Sequence, residues 1–282
     1  MVRALRGSRR GLVSSLAICL LAQAAFTAGC SAGSADTGAE GESAARSPDG
    51  TRPPSASASP TVPRAARSFR PEPDRLPRDR AAALRLARAV ALLPEDWGAG
   101  FVAQDPPESD PDSWAVLDDD CRWTREPLPQ GVLAALSRYS ELPVGEGGEA
   151  VQVSAVVTVH TTEAGADDRL NAGLEEAMRC SRQELRPGRW IENLNSAEQP
   201  PGAESSYAED SVFEVGVHGE GSGDGATVLP FRWAVDRLGP VTVAVSVRAA
   251  ASEDAPDPGT LQSWGRIVMG ARLVDLLEGG DR

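Results

Sequence analysis

Residues 149–161, EAVQVSAVVTVHT, contain the clearest strand pattern of the chain and decide its fold class. Apolar side chains stand at every second position, and the side chains between them are mostly polar. The apolar positions are Val151, Val153, Ala155, Val157 and Val159. A period of two with β-branched residues is typical of a half-buried strand. The stretch therefore predicts a sheet with one face turned to a core.

Further strands are predicted downstream, each separated from the next by a turn signal. They cover Tyr207–His218, Ala226–Val235 and Val241–Val247. The turns are the glycine-rich segment 219–225 and the pair Gly239-Pro240. Such hairpin succession predicts antiparallel pairing, and Pro230 indicates an edge position or a bulge. Upstream, Ser113–Leu117 is a short strand candidate.

Helical periodicity appears in four other segments. It predicts helices over Arg78–Leu93, Ala166–Glu184 and Pro258–Glu278, and a short helix over Gly131–Tyr139. Trp264 falls on the apolar stripe of the last helix, which predicts a core position. We therefore expect an α+β fold of two layers, an antiparallel sheet with amphipathic helices on one face, over residues 76–282.

The first 29 residues have the pattern of an export signal. Four arginines without an acid precede an apolar run, and small residues follow it. Thr27-Ala28-Gly29-Cys30 resembles the lipobox of bacterial lipoproteins, which implies a diacylglyceryl group on Cys30 and anchoring on the extracytoplasmic face of the cell membrane. An uncleaved membrane anchor and a plain secretory signal are the alternatives.

Two export routes remain open for this signal. Residues 8–13, SRRGLV, resemble the twin-arginine motif, which directs export of a folded protein. Ordinary export of the unfolded chain fits the same arginines. Residues 31–75 are rich in Ser, Ala, Gly and Pro and predict a disordered tether between the lipid and the domain.

The charge of the chain is strongly negative. It has 282 residues and a formal net charge of −13, and all 28 basic residues are arginines. The predicted signal is basic, so the acidity belongs to the domain that follows. An acidic domain excludes nucleic acid as a partner and argues against direct binding to anionic lipid.

Two of the four cysteines, Cys121 and Cys180, remain if the signal is removed and Cys30 is lipidated. In an oxidising compartment they predict one disulfide bond. A pair of buried thiols and a catalytic cysteine are the alternatives. A catalytic cysteine requires a neighbour that stabilises the thiolate, and neither residue has a histidine close in sequence.

Catalytic and metal-binding patterns are weak in this sequence. His160 and His218 each end a predicted strand and could meet carboxylates at a metal, but two exposed strand ends are the preferred interpretation, so no metal site is predicted. The run Asp118-Asp119-Asp120 is typical of a solvated turn more than of a calcium loop. No nucleophile motif is present, so we expect no catalysis and no cofactor.

Tryptophan is the residue type that most favours a ligand surface. The chain has six tryptophans, and Trp97 and Trp190 lie in predicted loops, where an aromatic ring can line a pocket. The competing interpretation places both rings in the core.

The order of these features resembles the sensor-type extracellular domains of actinobacteria, such as those of the PknH kinase family and its lipoprotein relatives. The resemblance covers residues 76–282 and lies in element order and the spacing of Cys121 and Cys180. It implies a binding or sensing module without catalysis, and the same disulfide. We therefore expect a lipid-anchored binding module for an unknown small ligand. A structural or assembly lipoprotein that acts through a protein partner is the alternative, and an enzyme without a recognisable motif is the third and least favoured interpretation.

Overall fold

The computed structural model describes residues 69–144, 150–198, 207–221 and 225–279, which form ten strands and four α-helices. The strands are β1 (Val102–Glu108), β2 (Ser113–Leu117), β3 (Trp123–Pro127), β4 (Val132–Leu142), β5 (Val151–His160), β6 (Arg182–Arg186), β7 (Arg189–Glu198), β8 (Asp210–Glu220), β9 (Thr227–Leu238) and β10 (Val241–Arg248). The helices are α1 (Arg80–Val90), α2 (Pro94–Trp97), α3 (Glu163–Arg179) and α4 (Pro258–Val274), and α4 continues into a π-helical turn, Asp275–Gly279.

Eight strands form one curled antiparallel sheet, a half-barrel, in the order β1-β4-β5-β10-β9-β8-β7-β6. Strands β2 and β3 form a separate hairpin. Strand β5 lies inside the sheet between β4 and β10, and its five predicted core positions are all buried. The prediction of a largely antiparallel sheet with helices is confirmed.

The main core lies between the sheet and helices α1 and α4, on what we call the α1/α4 face. Val157 of β5 and Val243 of β10 are fully buried there, beside Val90 of α1 and Leu273 of α4. Helix α1 begins after Asp79, whose carboxylate accepts a hydrogen bond from the Ala82 amide at 2.8 Å. Such N-caps satisfy amide groups that the first helical turn leaves without partners.

Helix α3 packs on the opposite face of the sheet, which we call the α3 face. Leu170 joins a second, smaller cluster there with Val212, Val235 and Ala244. The predicted two-layer arrangement, with the helices on one face, is not confirmed. Ala244 alternates along β10 with residues of the main core, so this strand is buried on both sides.

Strand β4 corrects the helix predicted over Gly131–Tyr139. Residues 132–136, VLAAL, are all apolar, and no period of two is visible in them. The structure explains why: Leu136 enters the main core, whereas Ala135 lies on the α3 face. A register shift between Val132 and Ala134 interrupts the alternation further. Strands covered on both faces have such continuous apolar runs.

Strand β3 of the hairpin was not predicted from the sequence, and neither were strands β1, β6 and β7 of the large sheet. The last three lie at the two ends of the sheet order, and β1 is mostly exposed. The helix predicted to end at Glu184 ends at Arg179, and β6 begins at Arg182. Strand β1 pairs with β4, which lies further along the chain, whereas β6 and β7 form a local hairpin whose polar sequence shows no apolar alternation.

Pro230 lies in β9, an inner strand without a bulge at this point, so the edge-or-bulge prediction is wrong. Pro230 lies just outside the part of β9 that pairs with β10. Its carbonyl accepts a hydrogen bond from the Ala249 amide at 3.0 Å. Proline has no N–H to return to Ala249. The His218 ring nitrogen Nε2 lies 3.3 Å from the Ala249 carbonyl oxygen and donates to it when protonated.

The packed part of the chain begins before residue 76, the predicted start of the domain. Phe69 is buried in the main core, and the amide of Glu72 donates to the carbonyl of Leu277 at 2.8 Å. Residues 69–75, assigned to the tether above, thus belong to the domain. The predicted signal 1–29, Cys30 and the remaining tether lie outside the described residues.

Candidate ligand-binding cavity

The β2–β3 hairpin lies over the α3 face of the sheet, beside α3. Together they cover strands β4, β5, β10 and β9 without filling the space above them, which leaves a cavity of about 110 Å³. We call it the tryptophan cavity. It is lined by Trp114, Ala115, Trp123 and Arg125 of the hairpin, Arg169 of α3, and Ala135, Ser137, Val156, Thr158, Trp233, Val235, Thr242 and Ala244 of the sheet.

The cavity exists because the sheet residues beneath the hairpin are small. Ala135, Ser137, Thr158, Thr242 and Ala244 have short side chains on three neighbouring strands. Protein interiors normally pack as densely as organic crystals, so such a gap is unusual. A single water needs about 10–15 Å³ of such space, and a largely apolar wall offers water few partners. A small apolar group is the better occupant.

Three half-buried tryptophans give the cavity its aromatic wall. Trp114 and Trp123 come from opposite strands of the hairpin, and Trp233 comes from β9. The ring of Trp233 packs beside Gly173 of α3, where an added Cβ would lie 3.9 Å from it. Flat rings from three elements suit a ligand with a flat or ring-shaped apolar group.

Arg169 forms the charged side of the cavity. Its guanidinium lies 5.9 Å from the centre of the Trp114 ring, within range of a cation–π contact. It also donates to Glu176 of the same helix at 3.1 Å, and both side chains are mostly buried. The Glu176 carboxylate neutralises Arg169, so the cavity carries no net charge from this pair.

Glu214 of β8 lies near this ion pair, and only 2% of the residue is exposed. Burial raises the pKa of Glu214 to about 7, and the charge of Glu176 adds to that effect. The hydroxyl of Ser196 donates to Glu214 at 2.8 Å and acts in the opposite direction. Glu214 therefore holds a proton through much of the acidic range.

A wider depression of about 530 Å³ adjoins the tryptophan cavity and shares Trp114, Ala115 and Arg169 with it. His160 lines this depression, and its ring nitrogen Nε2 is buried without a hydrogen-bond partner among the described residues. Burial lowers the pKa of His160 to about 4, and the charge of Arg169 adds to the lowering. His160 is thus neutral at pH 7.

The predicted disulfide between Cys121 and Cys180 is confirmed and fixes the hairpin. It joins the turn between β2 and β3 to the residue that ends α3, with the two Cα atoms 5.7 Å apart. Close by, the Trp123 indole donates to the Gln183 amide oxygen at 2.9 Å. The bond therefore holds one end of the cavity roof against the rest of the domain.

The predicted environments of Trp97 and Trp264 are reversed in the structure. Trp97, a candidate for a ligand surface, is buried in the main core against Gly265 of α4. Trp264, predicted in the core, is half exposed, and its indole donates to the Asp96 carbonyl at 2.9 Å. Gly265 explains both outcomes: it leaves room for Trp97 on the buried side of α4, and Trp264 then faces outward.

Trp190, the other ligand-surface candidate, is buried outside the tryptophan cavity. Its ring occupies the space beside Gly219, where any side chain would collide with it, and Arg182 lies 4.0 Å above the ring centre. It borders a separate cavity of about 90 Å³ that also includes Arg248. Cys30, the predicted lipidation site, lies outside the described residues.

The two histidines do not form a joint site. His160 lies at the Val241 end of β10, where its amide donates to the Pro240 carbonyl, and His218 lies at the opposite end, beside Ala249. Asp118 is engaged within its own turn, where it accepts from the Arg122 amide at 2.8 Å. The described residues contain no group of three His, Cys, Asp or Glu side chains that could hold a metal ion.

Sequence reasoning missed Arg169 and the tryptophans at positions 114, 123 and 233 as one site. Their elements meet only through the fold, because Trp233 is distant from the hairpin in sequence. One signal was available: Trp123 follows Cys121 by two residues, so a bond to Cys180 necessarily brings this ring near the end of the helix before it.

No protein-family model, curated protein or solved structure matches the chain. Within the described ranges, no helix has the length and apolar character required to cross a membrane. The resemblance to sensor-type extracellular domains stays a prediction.

Proposed function

We propose that this chain is a ligand-binding module and that the tryptophan cavity is its binding site. The observation that carries the proposal is the gap itself, in which three tryptophans and small sheet residues surround unfilled space beneath a disulfide-held hairpin. Sites for small molecules are concave, mostly apolar and lined by aromatic side chains. The ligand class that fits is a small molecule with a flat or ring-shaped apolar group.

The module is further proposed to act outside the cell, tethered to the membrane by a lipid on Cys30. The basic start, the apolar run and the lipobox-like residues before Cys30 support this location. Mass spectrometry of the mature N-terminus tests it, and we expect a diacylated Cys30 as the first residue. An unmodified Cys30, or a mature chain that starts before it, would contradict the anchor.

Binding of ring-shaped probes to the purified full chain tests the cavity. Indole, benzene and cyclohexanol are titrated by calorimetry against wild type, Ala244→Leu and Ala89→Leu. The larger side chain of Ala244→Leu would occupy the floor of the cavity, so we expect binding to weaken by at least about tenfold with an unchanged fold. Ala89 is exposed on α1, and its leucine variant is the matched control.

Tryptophan substitutions complete the test. Trp114→Phe removes part of the aromatic wall and should weaken the same probes, whereas Trp264→Phe alters a half-exposed ring elsewhere and should not. Equal binding by the Ala244→Leu and wild-type proteins would reject the cavity as the site.

A role in assembly is the second candidate, and one surface favours it. On the α1/α4 face, Val215 of β8 and Val228 of β9 are exposed, and the half-buried Val217 and exposed Pro230 lie between them. Apolar residues grouped in this way suit a protein partner. If the cavity binds no probe, pull-down with wild type but not with Val215→Glu would favour assembly.

A further inference from the structure

Three arginines from different strand ends meet at a second site, apart from the tryptophan cavity. Arg248 ends β10, Arg189 begins β7 and Arg186 ends β6. They line an open basin of about 540 Å³, and Arg189 and Arg248 also line the adjoining recess of about 90 Å³. We call these two spaces together the arginine basin. None of its lining residues lines the tryptophan cavity.

Arg248 is the unusual member of this group. It is mostly buried, yet its guanidinium forms no ion pair or hydrogen bond with any described residue. Burial and, after it, the charges of Arg189 and Arg186 together lower the pKa of Arg248 to about 10, and the charge of Glu220 acts in the opposite direction. Buried charges in proteins are normally paired, because an unpaired ion loses its hydration without compensation.

Glu220 lies close enough to favour the charged form of Arg248, but its carboxylate forms an ion pair with Arg189 instead. Arg189 pairs with Glu220 at 2.6 Å, and its Nε is buried without a hydrogen-bond partner among the described residues. Asp105 and Glu141 also line the open basin, but neither forms an ion pair with Arg248. A guanidinium that has unused donors, with two others beside it, is a receptor for an anion.

The rest of the lining suits an anion attached to a small organic group. Tyr139 and Gln152 place a hydroxyl and an amide in the open basin. Trp190 and Leu185 line the recess, where an apolar substituent would lie. The site therefore offers charge at its centre, hydrogen-bond partners on one side and apolar surface on the other.

We propose that the arginine basin binds a small oxyanion, a phosphate or carboxylate group, either free or as part of a small organic molecule, with Arg248 as its main contact. The guanidinium fork matches two oxygens of such a group. This inference goes beyond the proposed function, since it concerns different residues and a different ligand chemistry.

The test uses the full chain, purified in detergent at low ionic strength, with inorganic phosphate, glycerol 3-phosphate and acetate as probes. Calorimetry and thermal unfolding are recorded for wild type, Arg248→Met and Arg85→Gln. Arg85 is an exposed residue of α1, and its variant removes the same charge from the net total. We expect wild type and Arg85→Gln to bind alike and Arg248→Met to bind at least about tenfold more weakly.

Thermal unfolding without any anion distinguishes a binding residue from a structural one. Arg248→Met removes an unpaired buried charge, so the midpoint of its thermal unfolding should be higher than that of wild type. Residues kept for binding often lower the stability of the free protein in this way. A lower midpoint would assign Arg248 a structural role and overturn the proposal.

The three probes identify the source of the anion. Tighter binding of glycerol 3-phosphate than of phosphate indicates an ester such as a lipid headgroup, equal binding indicates the free anion, and a preference for acetate indicates a carboxylate; each supports the site. Absence of binding by wild type to all three at 10 mM, or equal binding by Arg248→Met, rejects it. Ala244→Leu should bind phosphate normally, which separates this result from that of the tryptophan cavity.

Discussion

Glu214 is a carboxyl group that the fold keeps in its neutral form. Its pKa is raised from the ordinary 4.5 to about 7, chiefly by burial. Between these two pH values the folded state binds more protons than the unfolded state. The contribution of Glu214 to the free energy of unfolding therefore falls as the pH rises from 4.5 to 7, by roughly 3 kcal/mol at most.

The variant Glu214→Gln removes this dependence, because glutamine is neutral at every pH and its amide oxygen can still accept the Ser196 hydroxyl. We expect the variant to gain stability relative to wild type as the pH rises from 4.5 to 7, and to keep that gain above pH 7. Urea unfolding at half-unit pH steps measures the difference.

His160 and His218 make the comparison with wild type necessary. Burial lowers both of their pKa values from the ordinary 6.5, to about 4 for His160, so their contribution is lost as the pH falls through that range. The two histidines make the free energy of unfolding rise with pH, opposite to the effect of Glu214. Their contribution cancels when the variant is compared with wild type at the same pH. Glu126→Gln, the same substitution on the exposed side of β3, is the matched control. A stability curve for Glu214→Gln that stays parallel to that of wild type would contradict the raised pKa of Glu214.

At the scale of elements, α4 docks on the sheet through a residue without a side chain. A Cβ on Gly265 would lie 2.7 Å from the Trp97 ring and 3.0 Å from Val245. We expect Gly265→Ala to lower the free energy of unfolding by about 1–3 kcal/mol, because overpacking forces neighbours off their preferred rotamers. Chemical denaturation checks the value.

Gly173→Ala is the matched helical control for this prediction. An added Cβ there meets only Trp233, at 3.9 Å, which is ordinary contact. Alanine in place of glycine should stabilise α3 by about 0.5–1 kcal/mol. If Gly265→Ala and Gly173→Ala are destabilised equally, crowding against Trp97 does not cause the loss of stability in Gly265→Ala. In the background of Trp97→Leu, the cost of Gly265→Ala should shrink.

At the scale of elements, segments with a strong apolar pattern were predicted, and polar strands such as β6 and β7, which pair with each other, were not. Strand β5 was evident because one face meets helices while the other holds mostly polar residues. Strand β4, covered on both faces, lost its alternation and resembled a helix. Of the site, the disulfide could be predicted by counting cysteines. The tryptophan cavity could not, because it depends on which strands lie side by side, and no local sequence pattern shows that order.

At the scale of the whole molecule, one covalent bond connects the hairpin to the layers beneath it. Cys121 and Cys180 are 59 residues apart, so their bond closes a long loop and restricts the conformations of the unfolded chain. We expect the double variant Cys121→Ser/Cys180→Ser to lose up to about 4 kcal/mol of unfolding free energy. Calorimetric unfolding of the variant and of reduced wild type measures the loss.

Amide hydrogen exchange shows which strands the loss of the disulfide destabilises. Amides of β2 and β3 should exchange faster in the double variant, while those of β5 and β10, which are paired on both sides, should keep their protection. Binding of ring-shaped probes should weaken in parallel, because the cavity loses its fixed roof. Unchanged exchange in the hairpin would show that its hydrogen bonds to α3 and β6 hold it without the disulfide.

The outermost strands of the half-barrel have features that oppose pairing with the sheet of another copy. Strand β1 contains Pro106 and Pro107, and β6 is only five residues long, with arginines at both ends. Missing amide donors, short length and charge are the features by which natural sheets resist edge-to-edge aggregation. Many copies can therefore crowd together at high local concentration without their sheets fusing into larger assemblies.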